Sequence, residues 1–89
     1  MILHTFNSPH ALQVSGAFVQ ENDQVLFLED GVYCLLGRTL NLASNHLHVL
    51  QPDMDARGLS DRVDPEIHRA NYETFVQLCC DADSISNWF

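Results

Sequence analysis

The chain has 89 residues, 46% hydrophobic and 18% charged, a composition that folds and is too apolar for a disordered segment. Twelve acidic residues stand against four arginines and no lysine, for a formal net charge of −8. Arg38, Arg57, Arg62 and Arg69 cannot build the basic stripe that a phosphate backbone requires, so direct nucleic-acid binding is excluded, and a basic protein partner fits the charge better.

A chain of this length is expected to form one domain, 1–89, burying roughly 60–65% of its unfolded surface, so its core is thin and partners often supply the rest. Three cysteines, with Cys79 and Cys80 adjacent, make no disulfide framework and point to the reducing cytoplasm. The opening MILHTF has neither the basic region nor the apolar core of a signal peptide. No apolar run approaches 18 residues, so no membrane span is expected.

Residues 2–6 read as a first strand, broken by Asn7, Ser8 and Pro9. Ser8 is placed to cap a helix with Pro9 in its first turn. The helix would run to about Gln20 on an apolar face of residues 11, 12, 14, 17 and 18, with Gly16 weakening its interior. Residues 24–28, QVLFL, form an apolar run without alternation, as in a strand buried on both faces of a parallel sheet. Glu29-Asp30-Gly31 closes that strand. A second helix is expected over 32–37, breaking near Gly37, and 38–45 has no assignable pattern.

Residues 46–50 read as a third strand, ended by Pro52. Asp53 to Arg57 reads as one helical turn, capped by Asp53 and closed by Gly58. Residues 66–69 suggest a short fourth strand. Apolar residues at 72, 75, 76, 78 and 79 give a final amphipathic helix capped by Asn71, before a tail ending in Trp88-Phe89. Strands alternating with helices predict an α/β fold, a small central parallel sheet with helices on both faces.

The chain carries no dinucleotide or P-loop glycine motif, no HExxH and no CxxC, so neither a cofactor nor a metal is expected. His46 and His48 share one face of the third strand, but two ligands fall short of a zinc site. Asp53 and Asp55 face different ways on a short helix, which favours capping and solvation over a catalytic carboxylate pair. His4, in an inner strand, is expected to be a hydrogen-bonded structural histidine. Arg57 can pair with Asp53, with Asp61 or with a partner's carboxylate.

Cys34 would lie in the first turn of the helix beginning near Val32, where the helix terminus favours a thiolate while Glu29 and Asp30 oppose it. It is a candidate thiol, with packing as the simpler role. Cys79 is expected in the core and Cys80 partly exposed. Trp88 and Phe89 either cover this domain's own core or anchor a neighbouring subunit.

Four segments together resemble the TusB/DsrH family: Leu3-His4-Thr5 with Ser8-Pro9, Glu29 to Tyr33, Leu50 to Leu59 (LQPDMDARGL), and Asn71 to Val76 with Trp88. The resemblance implies a flavodoxin-like or Rossmann-like three-layer sandwich, a DsrEFH-like domain. It implies assembly with homologous TusC-like and TusD-like subunits as a dimer of heterotrimers, which the isolated chain can imitate by self-association. It implies a sulfur relay that passes persulfide toward the 2-thiouridine of tRNA wobble bases, or, in sulfur oxidisers, dissimilatory sulfur metabolism.

In the catalytic paralogue the active cysteine ends the third strand, eight residues before the glycine of an Arg-Gly pair. That pair is Arg57-Gly58 here, and the position is Leu50, which cannot carry sulfane sulfur. The first helix also lacks the cysteine of DsrH-type members. The resemblance thus implies a non-catalytic, TusB-like subunit. Two alternatives remain beside it: an active persulfide carrier using Cys34, and a stand-alone small-molecule binding module at the strand ends.

Overall fold

The computed structural model describes residues 1–36 and 40–89. Five strands, β1 (Ile2–Phe6), β2 (Gln24–Phe27), β3 (Leu47–Leu50), β4 (His68–Ala70) and β5 (Ser84–Trp88), form one sheet in the order β4-β3-β2-β1-β5. Each of the four pairings between these strands is parallel. Among the described residues three α-helices, α1 (Pro9–Ser15), α2 (Gln51–Ala56) and α3 (Tyr72–Asp81), flank it.

Strand alternation divides the core in two. Phe6, Val25, Phe27 and Val49 face one way and pack with Ala11, Val32, Met54 and Val63, under α1 and α2. Leu3, Leu26, Leu50 and Ala70 face the other way, under Phe75, Leu78 and Cys79 of α3. Phe6 and Phe27 are fully buried and stacked at 6.0 Å between ring centroids. Each contributes about 1.5–3 kcal/mol through burial alone.

Ser8 caps α1 by accepting the Ala11 N–H, and Asn71 caps α3 by accepting the Thr74 N–H, both as expected. The first helix is shorter than expected: it stops at Ser15, and Gly16–Phe18 continue as a 3₁₀ turn. The buried positions of α1 are Ala11 and Ser15, whereas Val14 on the helix and Phe18 in the 3₁₀ turn lie on the solvent side at 62% and 61% exposure. Residues four apart share a helix face, and Ala11 and Ser15 form the inward one.

The expected helix at 32–37 is a 3₁₀ helix, Glu29–Leu35, that starts directly after β2. The break near Gly37, together with Arg38, lies outside the described residues. Gly31 explains the early start. A Cβ there would sit 1.9 Å from the Phe6 carbonyl oxygen, so only glycine lets the chain turn this closely over β1.

Asp53 does not cap α2. The helix begins two residues earlier, with Leu50 at its cap position and Pro52 in its first turn, and the Asp53 carboxylate reaches across to the Glu29 N–H at 2.6 Å. Gly58, at φ 65°, closes α2 as anticipated, with Gly58 N–H bonded to Asp55 O and Leu59 N–H to Met54 O. The tail is itself a strand: β5 pairs with β1 through Ile2↔Ser84 to Phe6↔Trp88. Among the described residues no helix is long and apolar enough to cross a membrane.

Candidate functional site

The carboxyl ends of β1, β2 and β3 meet the starts of the connections that follow them. This is where open parallel sheets place their chemistry. Leu50 ends β3, is 2% exposed, and packs on the α3 side of the sheet. It is an apolar group sealed into the core at the strand terminus.

Around it the chain is tied together by charge. Glu29 has a left-handed backbone, φ 51°, and the Asp53 carboxylate takes its N–H. A non-glycine residue held in that region costs about 1–2 kcal/mol, which the charge-assisted hydrogen bond offsets. Arg57 reaches Asp30 through Nη2 at 2.9 Å and Nε at 3.2 Å, and donates from Nη1 to the Asp53 carbonyl at 3.1 Å. Its guanidinium pKa is raised, first by the hydrogen bond to Asp30. Arg57 therefore pairs with Asp30, not with the Asp53 or Asp61 carboxylate. The brace joins the turn after β2 to the helix after β3.

Cys34 lies near the end of the 3₁₀ helix, not in the first turn of a helix, because that helix starts at Glu29 rather than at Val32. It is 4% exposed. It stands at the wall of a cleft of about 760 Å³ between α1 and the 40–42 segment, where His10, Gln13, Tyr33 and Asn41 contribute polar atoms. Cys79 is half-buried under α3, and burial pushes its thiol pKa up, with Cys80 adding to the rise. Cys80 is exposed. Neither lies at the strand ends.

The strongest polar network was only partly visible in the sequence. His4 is buried on β1. Its Nε2 lies 2.8 Å from Asp23 Oδ2, and its Nδ1 accepts the Trp88 indole N–H at 3.0 Å. An indole can only donate, so Nδ1 is bare and Nε2 carries the proton given to Asp23. Asp23 also accepts the Ile2 and Gln20 N–H groups. Burial opposes its charge, but these bonds prevail and hold its carboxyl below the usual value. Trp88 packs on the core and stacks on Phe18 at 5.4 Å, whereas Phe89 is 84% exposed. The two residues of the tail thus part company.

His48 and His68 face each other across β3 and β4, rings stacked at 5.3 Å, while His46 is exposed. Among the described residues no group of three or more His, Cys, Asp or Glu is arranged to hold a metal ion.

Fold and site together define a small parallel α/β protein whose third strand ends in a buried aliphatic group and whose strand ends are braced by the Arg57–Asp30 and Asp53–Glu29 contacts. The family described as DsrH like protein matches residues 7–85. Among curated proteins, the chain is similar to Protein TusB of Pectobacterium parmentieri, 32% identical over 95 residues covering 98% of this chain and 100% of that one. Protein TusB of Klebsiella pneumoniae (strain 342) is 34% identical over 85 residues, covering 86% and 90%. Protein TusB of Yersinia enterocolitica is 34% identical over 85 residues, covering 88% and 90%. The chain belongs to the TusB/DsrH family.

Proposed function

We propose that this chain is the non-catalytic structural subunit of a TusBCD-like sulfurtransferase complex, which relays persulfide sulfur toward 2-thiolation of the tRNA wobble uridine in the cytoplasm. Its partners are TusC-like and TusD-like subunits in a dimer of heterotrimers. Residues 1–89 act as one DsrEFH-like domain, a flavodoxin-like or Rossmann-like three-layer sandwich. The single reversal of strand order, between β1 and β5, supports that finer description.

The observation that carries the proposal is Leu50. It ends β3 and is buried, and the family resemblance assigns this position to the catalytic paralogue's cysteine. Sulfur transfer proceeds by thiolate attack on a sulfane sulfur, and a methyl-terminated side chain can neither attack nor hold it. The Arg57–Asp30 and Asp53–Glu29 contacts brace this strand end as a scaffold. Burial of Cys34 counts against the persulfide-carrier alternative, which needs a reachable thiol.

The test is co-purification of the tagged chain from its own cells under reducing conditions, with the mass of the complex measured. Two stoichiometric homologous partners are expected, one bearing a third-strand cysteine, and sulfur transfer by that complex should survive Cys34→Ser. A lone monomer or homodimer overturns the proposal, and loss of transfer in Cys34→Ser shifts the function to that thiol.

A further inference from the structure

The two edges of the sheet are treated differently. At the β4 edge, Arg69 ties the preceding loop down, donating to the carbonyls of Ser60, Val63, Asp64 and Ile67. That strand is only three residues long. Short strands, charge and a covering loop are the usual means of closing an edge to further pairing.

The β5 edge has none of these. It is five residues long, and the run from Ser84 to Phe89 contains no charge and no proline. The Trp88 carbonyl accepts the Asn7 N–H, so alternation along the strand turns the N–H and C=O of Ile85 and Asn87 away from β1. Among the described residues nothing bonds to those four groups. Apolar side chains flank them: Ile85 is 43% exposed, Phe18 61% and Phe89 84%. An extended segment lying there gains backbone hydrogen bonds and apolar contact together.

We infer that the outer edge of β5 receives a strand from one of the homologous subunits, with Ile85 and Asn87 supplying the backbone pairing and Phe18 and Ile85 the apolar flank. The inference rests on the complex-subunit reading above and names the surface which that reading leaves open. Charge selects a different chain over a second copy. Each copy carries −8, so a second copy would approach against that like charge. A partner strand flanked by lysine or arginine would meet Asp81, exposed just before the edge, whereas Asp83 is already paired with the Met1 amino group.

The test is co-expression of the chain with its own organism's TusC-like and TusD-like subunits, as wild type, Ile85→Lys and Asn87→Pro, with circular dichroism confirming that each variant folds. Each substitution should weaken assembly by at least about tenfold. In the wild-type complex the Ile85 and Asn87 amides should exchange at least about tenfold more slowly than in the isolated chain. That exchange measurement also decides the matter if a variant fails to fold. Variants that assemble like wild type, or unprotected amides, overturn the edge assignment and leave the subunit reading standing. A wild-type chain that binds neither subunit overturns the subunit reading and the edge assignment with it. A homodimer that Asn87→Pro dissolves makes a second copy the occupant and overturns the choice of partner.

Discussion

His4 on β1 and Asp23 at the entrance to β2 are joined ring to carboxylate at 2.8 Å, with both side chains buried. The carboxylate collects the Ile2 and Gln20 N–H groups as well, so one acidic group satisfies three donors from two segments. Asp23→Ala strands all three and should cost about 3 kcal/mol, read from denaturant unfolding. The pH dependence has a definite sign. The folded pKa of Asp23 lies below its ordinary 3.8, so its stabilisation is fully present above that value and is lost as pH falls through the depressed one. An Asp23→Asn variant should unfold in acid with less dependence on pH below 3.8 than wild type. An unchanged acid limb would mean that the carboxylate is not the group responsible.

Trp88 extends the same network to β5, and it is the only tryptophan in the chain, so its fluorescence reports on the site. Phe18 lies over its ring. Phe18→Ala should shift Trp88 emission to the red and cost about 1 kcal/mol, the value of an aromatic pair. Trp88→Phe keeps much of the apolar contact but leaves His4 Nδ1 without its donor, for a loss of about 1–2 kcal/mol in a thermal or denaturant melt.

These residues show how far the sequence could be read. Strand β2 was legible because a parallel strand buried on both faces is a near-continuous apolar run, and β1 and β3 because short apolar-rich segments stop before Pro9 and Pro52. The Ser8 and Asn71 caps and the Gly58 stop were legible because each answers a local need of the backbone. β5 was not: Ser-Ile-Ser-Asn-Trp looks like a polar tail, and only pairing with β1, more than eighty residues away in the chain, makes it a strand. The solvent side of α3 was misread for a related reason. Tyr72 and Val76 fit the helical period as well as Phe75 and Cys79 do, and only the position of the sheet buries the second pair more deeply. Nothing local in the sequence joins Asp23 to the histidine that meets it, which lies 19 residues away on β1. At the strand ends, Leu50 could be placed from the sequence, but the partner of Arg57 could not: Asp53 and Asp61 are the near carboxylates in sequence, and only folding brings Asp30, 27 residues away, to the guanidinium.

His48 gives a second pH signature, of opposite chemical type. Burial, and then the neighbouring His68 and His46, lower its pKa from 6.5 to about 4. The folded protein therefore resists a proton that the unfolded chain accepts. Stability should be flat above 6.5, decline as pH falls from 6.5 toward 4, and level off below. His48 retains some exposure to solvent, which screens the effect, so the decline should amount to about 1–2 kcal/mol rather than the full shift. His48→Gln should flatten this part of the curve, and an NMR titration of the His48 ring should place its midpoint near 4. A midpoint near 6.5 would remove the basis of the expectation.

Gly31 and Gly58 separate two reasons for glycine. Gly58 has φ 65° and nothing within 4 Å of a prospective Cβ, so Gly58→Ala pays only for the backbone and should cost about 1 kcal/mol. At Gly31 a Cβ would lie 1.9 Å from the Phe6 carbonyl oxygen and 2.9 Å from its carbon. That oxygen accepts the Leu28 N–H at 3.2 Å, so it cannot retreat without opening the end of the β1–β2 pairing. Neither contact is with a flexible side chain, and the strain must move backbone. Gly31→Ala should therefore cost about 3 kcal/mol or more, at least twice the loss at Gly58, and should speed amide exchange at Leu28. The same displacement would carry Glu29 away from Asp53, loosening the strand-end scaffold beside Leu50. Equal losses at the two glycines would show that the turn over Phe6 has room to spare.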